Sequence, residues 1–202
     1  MKKLLFFIVA ITLISFETPV DGVTKKEKKD AAKFLKQTKK EVGDAVKGLS
    51  EAQLKFKPAA DVWSVEECLK HIAITEQALW GMADASLKQA ANPEKRSEIK
   101  WTDEDVIKKM EDRSNKVKTF DAMKPENTPF KSASEALESF KQNRDKLIGY
   151  IKSTDADLRN HVITMPFTSL DAYQFILFIS AHSNRHMQQI NEVKANPDFP
   201  KN

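Results

Sequence analysis

One cysteine, five glycines and two tyrosines are all that 202 residues contain of those types. Cys68, standing alone, cannot close an intrachain disulfide, so a disulfide-stapled scaffold is excluded and the fold must rest on its core. Glycine is scarce, and no Asn-Gly or Asp-Gly turn separates alternating apolar runs, which argues against a hairpin-built β protein. The longest apolar run, Leu4 to Phe16, has 13 residues. A membrane-spanning helix needs about 20, so no stable span is expected. Neither sign of charge dominates: 33 basic and 29 acidic side chains leave a net +4. The lysines of the segment after residue 22 stand among acids with few aromatics, which reads as a solvated face and not as a nucleic-acid stripe.

The chain starts with Lys2 and Lys3, continues into the 13-residue apolar run, and then turns polar, with Val20 and Gly22 at −3 and −1 of a cleavage site. Residues 1–22 therefore read as a secretory signal peptide, and the protein as secreted or periplasmic. An uncleaved N-terminal membrane anchor is the alternative. The mature region, residues 23–202, is long enough for one domain with a sizeable core.

Apolar residues recur with a period near 3.6. Ala31, Phe34, Leu35, Thr38, Val42, Ala45 and Leu49 share one face of a helix predicted from Thr24 to Leu49. Ser64 and Glu67 form a capping box that opens a second helix, which fades near Ala91. Thr102 caps a shorter helix to about Phe120, and Ser132 with Glu135 opens another that ends near residue 153. Residues 153–168 are expected to be irregular, and a last helix runs from about Ser169 to Ala195. Four long amphipathic helices and one extra crossover helix predict an all-α four-helix bundle.

What the chain does have is His182 and His186, four residues apart on that last helix and therefore on one face. Asp171, Phe175, Phe178, Ile179, Gln189, Ile190 and Val193 share this face, so both imidazoles stand in a stripe aimed at the core. Buried imidazoles need partners, and a shared metal ion is the simplest one. The third ligand comes from His71, on the flank of the second helix, or from His161, in the loop before the last helix; a solvated loop position is the simpler reading of His161. Cys68, one turn before His71, reads as a buried inert thiol, and Trp63 as a core plug. Ser183 follows the first histidine where a zinc protease motif requires glutamate, so that chemistry is excluded. Glu76 and Arg144 fall inside apolar stripes and are expected to pair. Gln189 is placed to orient a ligand or water, and Arg185, on the flank, to hold an anion or a salt bridge.

The segment from Trp63 to Glu76, WSVEECLKHIAITE, resembles the W-S-x-x-E-x-x-x-H-x-x-x-x-E signature of the DinB-like superfamily. His182-Ser-Asn-Arg185-His186-Met-Gln-Gln189-Ile190 is similar to its H-x-x-R-H-x-x-Q-I signature. The resemblance covers about residues 25–196. It implies an up-down-down-up bundle with one central divalent metal ion, zinc or nickel before others, held by His71, His182 and His186. That family groups DNA-damage-inducible-type proteins with metal-dependent hydrolases and thiol transferases. One departure is Met165-Pro166-Phe167-Thr168, where a Gly-Pro-like turn is usual.

The expected function is thus an exported, metal-dependent hydrolase acting on a small molecule. Thiol transfer draws on cytosolic thiols and is disfavoured by the signal peptide; a role on DNA is disfavoured by the mild charge. A non-catalytic metal- or ligand-binding bundle of the envelope is the competing expectation. A closed site with Cys68 or His161 as fourth ligand would favour it, and a homodimer is compatible with either.

Overall fold

The computed structural model describes residues 22–114 and 118–201; apart from Gly22, the expected signal peptide lies outside the described residues. Each long helix begins where a short polar side chain can take an orphan amide of the first turn. Thr24 with Glu27 opens α1 (Lys25–Val46), and Ser64 with Glu67 opens α3 (Val65–Leu87). Thr102 with Asp105 opens α4 (Asp103–Glu111), and Asp171 with Gln174 opens α6 (Ala172–Lys194). All four are reciprocal capping boxes. Ser132 caps α5 (Ala133–Ser153) without the return bond, because the Glu135 carboxylate accepts the amide of Lys131 instead, at 2.7 Å.

Cross-helix bonds give the directions. Lys39 pairs with Asp145 and Lys28 with Asp155, so α1 and α5 are antiparallel. Thr38 meets Ser180 and Lys194 meets the Ala45 carbonyl, so α1 and α6 are parallel. Gln77 bonds Ser139 and Trp80 packs on Tyr150, so α3 runs with α5. The bundle is up-down-down-up, as expected. Around it the order is α1, α5, α3, α6, and α4 lies along the outside of α6.

Several expectations need correction. A single-turn helix, α2 (Glu51–Lys55), follows α1, capped by Ser50. The helix opened by Thr102 stops at Glu111, not near Phe120: Val106, Ile107 and Met110 pack on the core, and beyond them the chain turns polar. α3 ends at Leu87, before the expected Ala91. The stretch before the last helix is not wholly irregular. β1 (Val162–Met165) and β2 (Thr168–Asp171) form an antiparallel hairpin, Val162 opposite Asp171 and Met165 opposite Thr168, closed by Pro166 and Phe167. Its buried-buried-exposed-buried β1 is too short for a period to be read, and its turn lacks a glycine. Because β2 claims Ser169 and Leu170, α6 starts three residues later than expected.

The core has two apolar halves. Between them every long helix contributes polar residues at one level: Thr38 from α1, Glu76 from α3, Arg144 from α5, Ser180 and Ser183 from α6, all buried. The histidine cluster lies beside this layer.

Candidate metal centre

His182 and His186 lie one turn apart on α6, and their ring centroids are 4.6 Å apart. His71 sits two turns into α3, the antiparallel neighbour of α6. Its ring reaches to 4.4 Å from that of His186 and 5.1 Å from that of His182. One ligand nitrogen from each of the three lies within 4.8 Å of the others. Around a single tetrahedral ion with bonds of about 2.1 Å, donors stand roughly 3.4 Å apart, so small side-chain rotations bring this set to ligand spacing.

The other ring nitrogens are engaged in a way that favours metal donation. His71 Nδ1–H donates to the Met123 carbonyl at 2.7 Å, which leaves Nε2 with a lone pair. His186 Nδ1–H donates to Gln189 Oε1 at 3.0 Å, with the same consequence. His182 makes no hydrogen bond to another described residue, so among these both its nitrogens are available as donors to a metal. Burial drives all three imidazoles toward the neutral form. For His182 and His186 the neighbouring rings and Arg185 add to that depression, well below the ordinary value. Neutral imidazole is the form that ligates metals, and the donor set fits one borderline divalent cation.

Trp63, one residue before the cap of α3, forms a wall of the site. Its ring stacks at 28° on His186 with centroids 5.9 Å apart and lies 4.9 Å from His71. It is therefore a partly buried roof over two of the histidines more than a core plug. A cavity of about 370 Å³ opens beside it, lined by Trp63, Arg113, Arg185, His186 and Gln189 among others. The cluster thus has an open side.

The remaining sequence candidates separate cleanly. Glu76 is not at the metal cluster: it grips Arg144 through both oxygens, at 2.6 and 2.7 Å. Arg185 is buried, donates to the backbone carbonyls of Met110 and Asp112, and lines the cavity. His161 is not solvated: it is buried and its Nδ1–H donates to the Ser86 carbonyl at 3.0 Å, away from the cluster. Cys68 is fully buried, outside the cluster, and burial pushes its thiol pKa far up. Sequence reasoning missed the Met123 carbonyl, since a backbone acceptor 52 residues away leaves no mark in residue identity. It also missed that Ser183, where a protease would have its general base, donates inward to Ser180 O and accepts from Arg144.

A sequence profile of the DinB superfamily matches residues 34–190. The chain belongs to the DinB superfamily. YuaE of Bacillus subtilis (strain 168), whose own function is uncharacterized, is 30% identical over 162 residues, spanning 80% of this chain and 95% of that protein. A second similarity is to the solved structure of YfiT from Bacillus subtilis, described as a probable metal-dependent hydrolase with an unusual four-helix bundle topology. That match has a TM-score of 0.58 at 16% identity, over 90% of this chain and 93% of YfiT. It establishes a shared four-helix bundle fold. Both DinB signature segments contribute to the cluster here, one from α3 and one from α6.

Proposed function

We propose that this protein is a metal-dependent hydrolase of small molecules, exported from the cytoplasm, with one divalent cation, zinc or nickel, held by His71, His182 and His186. The observation that carries the reading is the convergence of three neutral imidazoles beside an open cavity. Three protein ligands and a free position are the pattern of catalytic zinc, whereas structural sites complete four. Among the described residues neither Cys68 nor His161 joins the cluster, which favours the catalytic over the purely structural reading. The description of YfiT as a probable metal-dependent hydrolase adds support by analogy of fold. The export reading is supported by the N-terminal pattern of residues 1–22 alone.

A cation bound there would supply Lewis acidity toward the electrophilic centre of the substrate. The protein's own groups prepare the place. Gln189 and the Met123 carbonyl engage Nδ1 of the two hydrogen-bonded rings, so Nε2 of each would be the atom left to hold the ion. Trp63 shields the ligands from water on one side. Arg185, anchored by backbone carbonyls, puts a fixed positive charge on the cavity wall, where a developing negative charge would be stabilised.

Elemental analysis of the purified protein and of its His182→Ala variant tests the centre. About one equivalent of metal in the wild type and loss in the variant are expected. A wild-type protein that neither retains nor takes up a divalent metal overturns the proposal. Hydrolysis of ester and amide panels by the loaded protein, with none by His182→Ala, tests the activity.

A further inference from the structure

Two adjoining grooves on the side of the bundle formed by α1 and α5 meet at Lys36. Together their linings contain ten different lysines and three acids, Asp44, Asp145 and Asp155, a local net charge of +7. The whole chain carries +4, so everything outside this face sums to −3. The mild total that made the charge look unremarkable therefore hides a strongly polarised molecule. At the centre of the face, exposed Lys29, Lys33, Lys36 and Lys152 form no ion pair with any described residue. Lys36 and Lys152, from the two helices, line the same groove and are both exposed, so their like charges are presented together to an external anion.

We propose that this lysine face docks the protein on an anionic phospholipid surface. Charge is the first argument: basic side chains near such a surface each add to binding, whatever the lipid's detailed structure. Geometry is the second. In the ring of helices the α1/α5 side is opposite the α3/α6 side, so docking leaves the histidine cluster and its cavity facing away from the membrane. The third is chain connectivity. Seven residues separate the apolar run Leu4–Phe16 from Thr24, the cap of α1, so the first lysines of the face follow shortly after the segment suited to lipid. If that run is kept as an anchor, α1 begins beside a membrane; if it is removed, the lysine face is what would return the protein to one. The lipid assignment is preferred to single-stranded nucleic acid because the grooves hold no aromatic side chain on which bases would stack; duplex DNA is separated from lipid by the salt at which each releases the protein. The inference does not depend on whether the histidines bind metal.

The test is co-sedimentation of the full chain with vesicles of phosphatidylcholine alone and of phosphatidylcholine with phosphatidylglycerol. Binding to the neutral vesicles is the baseline, since it reads any contribution of the apolar run. Wild-type protein is expected to bind the anionic vesicles more tightly, with loss in raised salt. Each lysine neutralised should weaken that excess about five-fold, and a Lys29→Gln/Lys33→Gln/Lys36→Gln/Lys152→Gln variant on the order of several hundred-fold. A control with Lys95→Gln and Lys100→Gln, on another side, should bind as wild type. Circular dichroism melts of all three verify folding; these exposed positions leave the core intact. Equal binding to neutral and anionic vesicles, or an unimpaired quadruple variant, overturns the proposal. Retention on duplex DNA at salt that releases the vesicles would overturn the lipid assignment in favour of nucleic acid.

Discussion

Arg144 of α5 and Glu76 of α3 face each other as a two-point ion pair, Nε to Oε1 2.6 Å and Nη2 to Oε2 2.7 Å, with side chains 0% and 2% exposed. The guanidinium also donates to Thr38 Oγ1, the Leu35 carbonyl and Ser183 Oγ, so its donors are spread over all three other long helices. One side chain thereby registers the whole bundle at the level of the polar layer.

Removing one partner strands the other charge in a dry interior. Arg144→Ala or Glu76→Ala should each lower stability by about 3–5 kcal/mol, read as a shift of the urea midpoint. Glu76→Leu with Arg144→Met should recover most of the loss. An Arg144→Ala protein as stable as one with a surface change such as Lys95→Ala would show that the pair is not what holds the layer.

Gln189 fixes the His186 ring by accepting its Nδ1–H. Gln189→Ala should lower metal affinity about 10–100-fold while leaving the fold unchanged, measured by competition with a chelating dye. Unaltered affinity would mean that helix geometry alone sets the ring.

Cys68 is buried outside the cluster, with its thiol held protonated. Cys68→Ala should keep full metal content, and the native thiol should stay unreactive toward a disulfide reagent until the chain unfolds. Metal loss in this variant would make the site a closed, four-ligand one.

The metal-free protein should be acid-sensitive. His71, His182 and His186 resist protonation in the fold because burial disfavours their charge, while in the unfolded chain they take protons near 6.5. Above that pH neither state is charged at these rings and they contribute no pH dependence. Below it the unfolded state binds more protons than the folded one, so stability falls as pH drops from about 6.5 toward 5. Urea titrations of chelator-treated protein should show this slope, and His182→Phe should flatten it. A stability independent of pH over that range would mean that the rings are protonated without cost in the fold.

Much of this was legible in residue order. Ser64 with Glu67 and Thr102 with Asp105 start their helices where capping chemistry requires, because a cap is satisfied within four residues. The four amphipathic stripes implied a bundle, and the two charged residues inside stripes, Glu76 and Arg144, had to find each other because neither can be buried alone. His182 and His186 announced a shared partner by their i,i+4 spacing. What local chemistry could not settle was anything that depends on which surfaces meet. The choice of His71 over His161 was open from spacing alone; α3 lying against α6 decided it, and sent His161 to a carbonyl of Ser86. The β1–β2 hairpin gained its order by packing Leu170 and Ile163 on the core, a tertiary gain that four-residue strands do not display in sequence. The Met123 carbonyl and the Trp63 roof arise only when a loop and a helix start are folded over the same rings. Local spacing thus determined the helices and the chemical needs of their buried polar groups. Only the packing of the bundle determined which group met which need, because partners distant in sequence are selected by shape and not by periodicity.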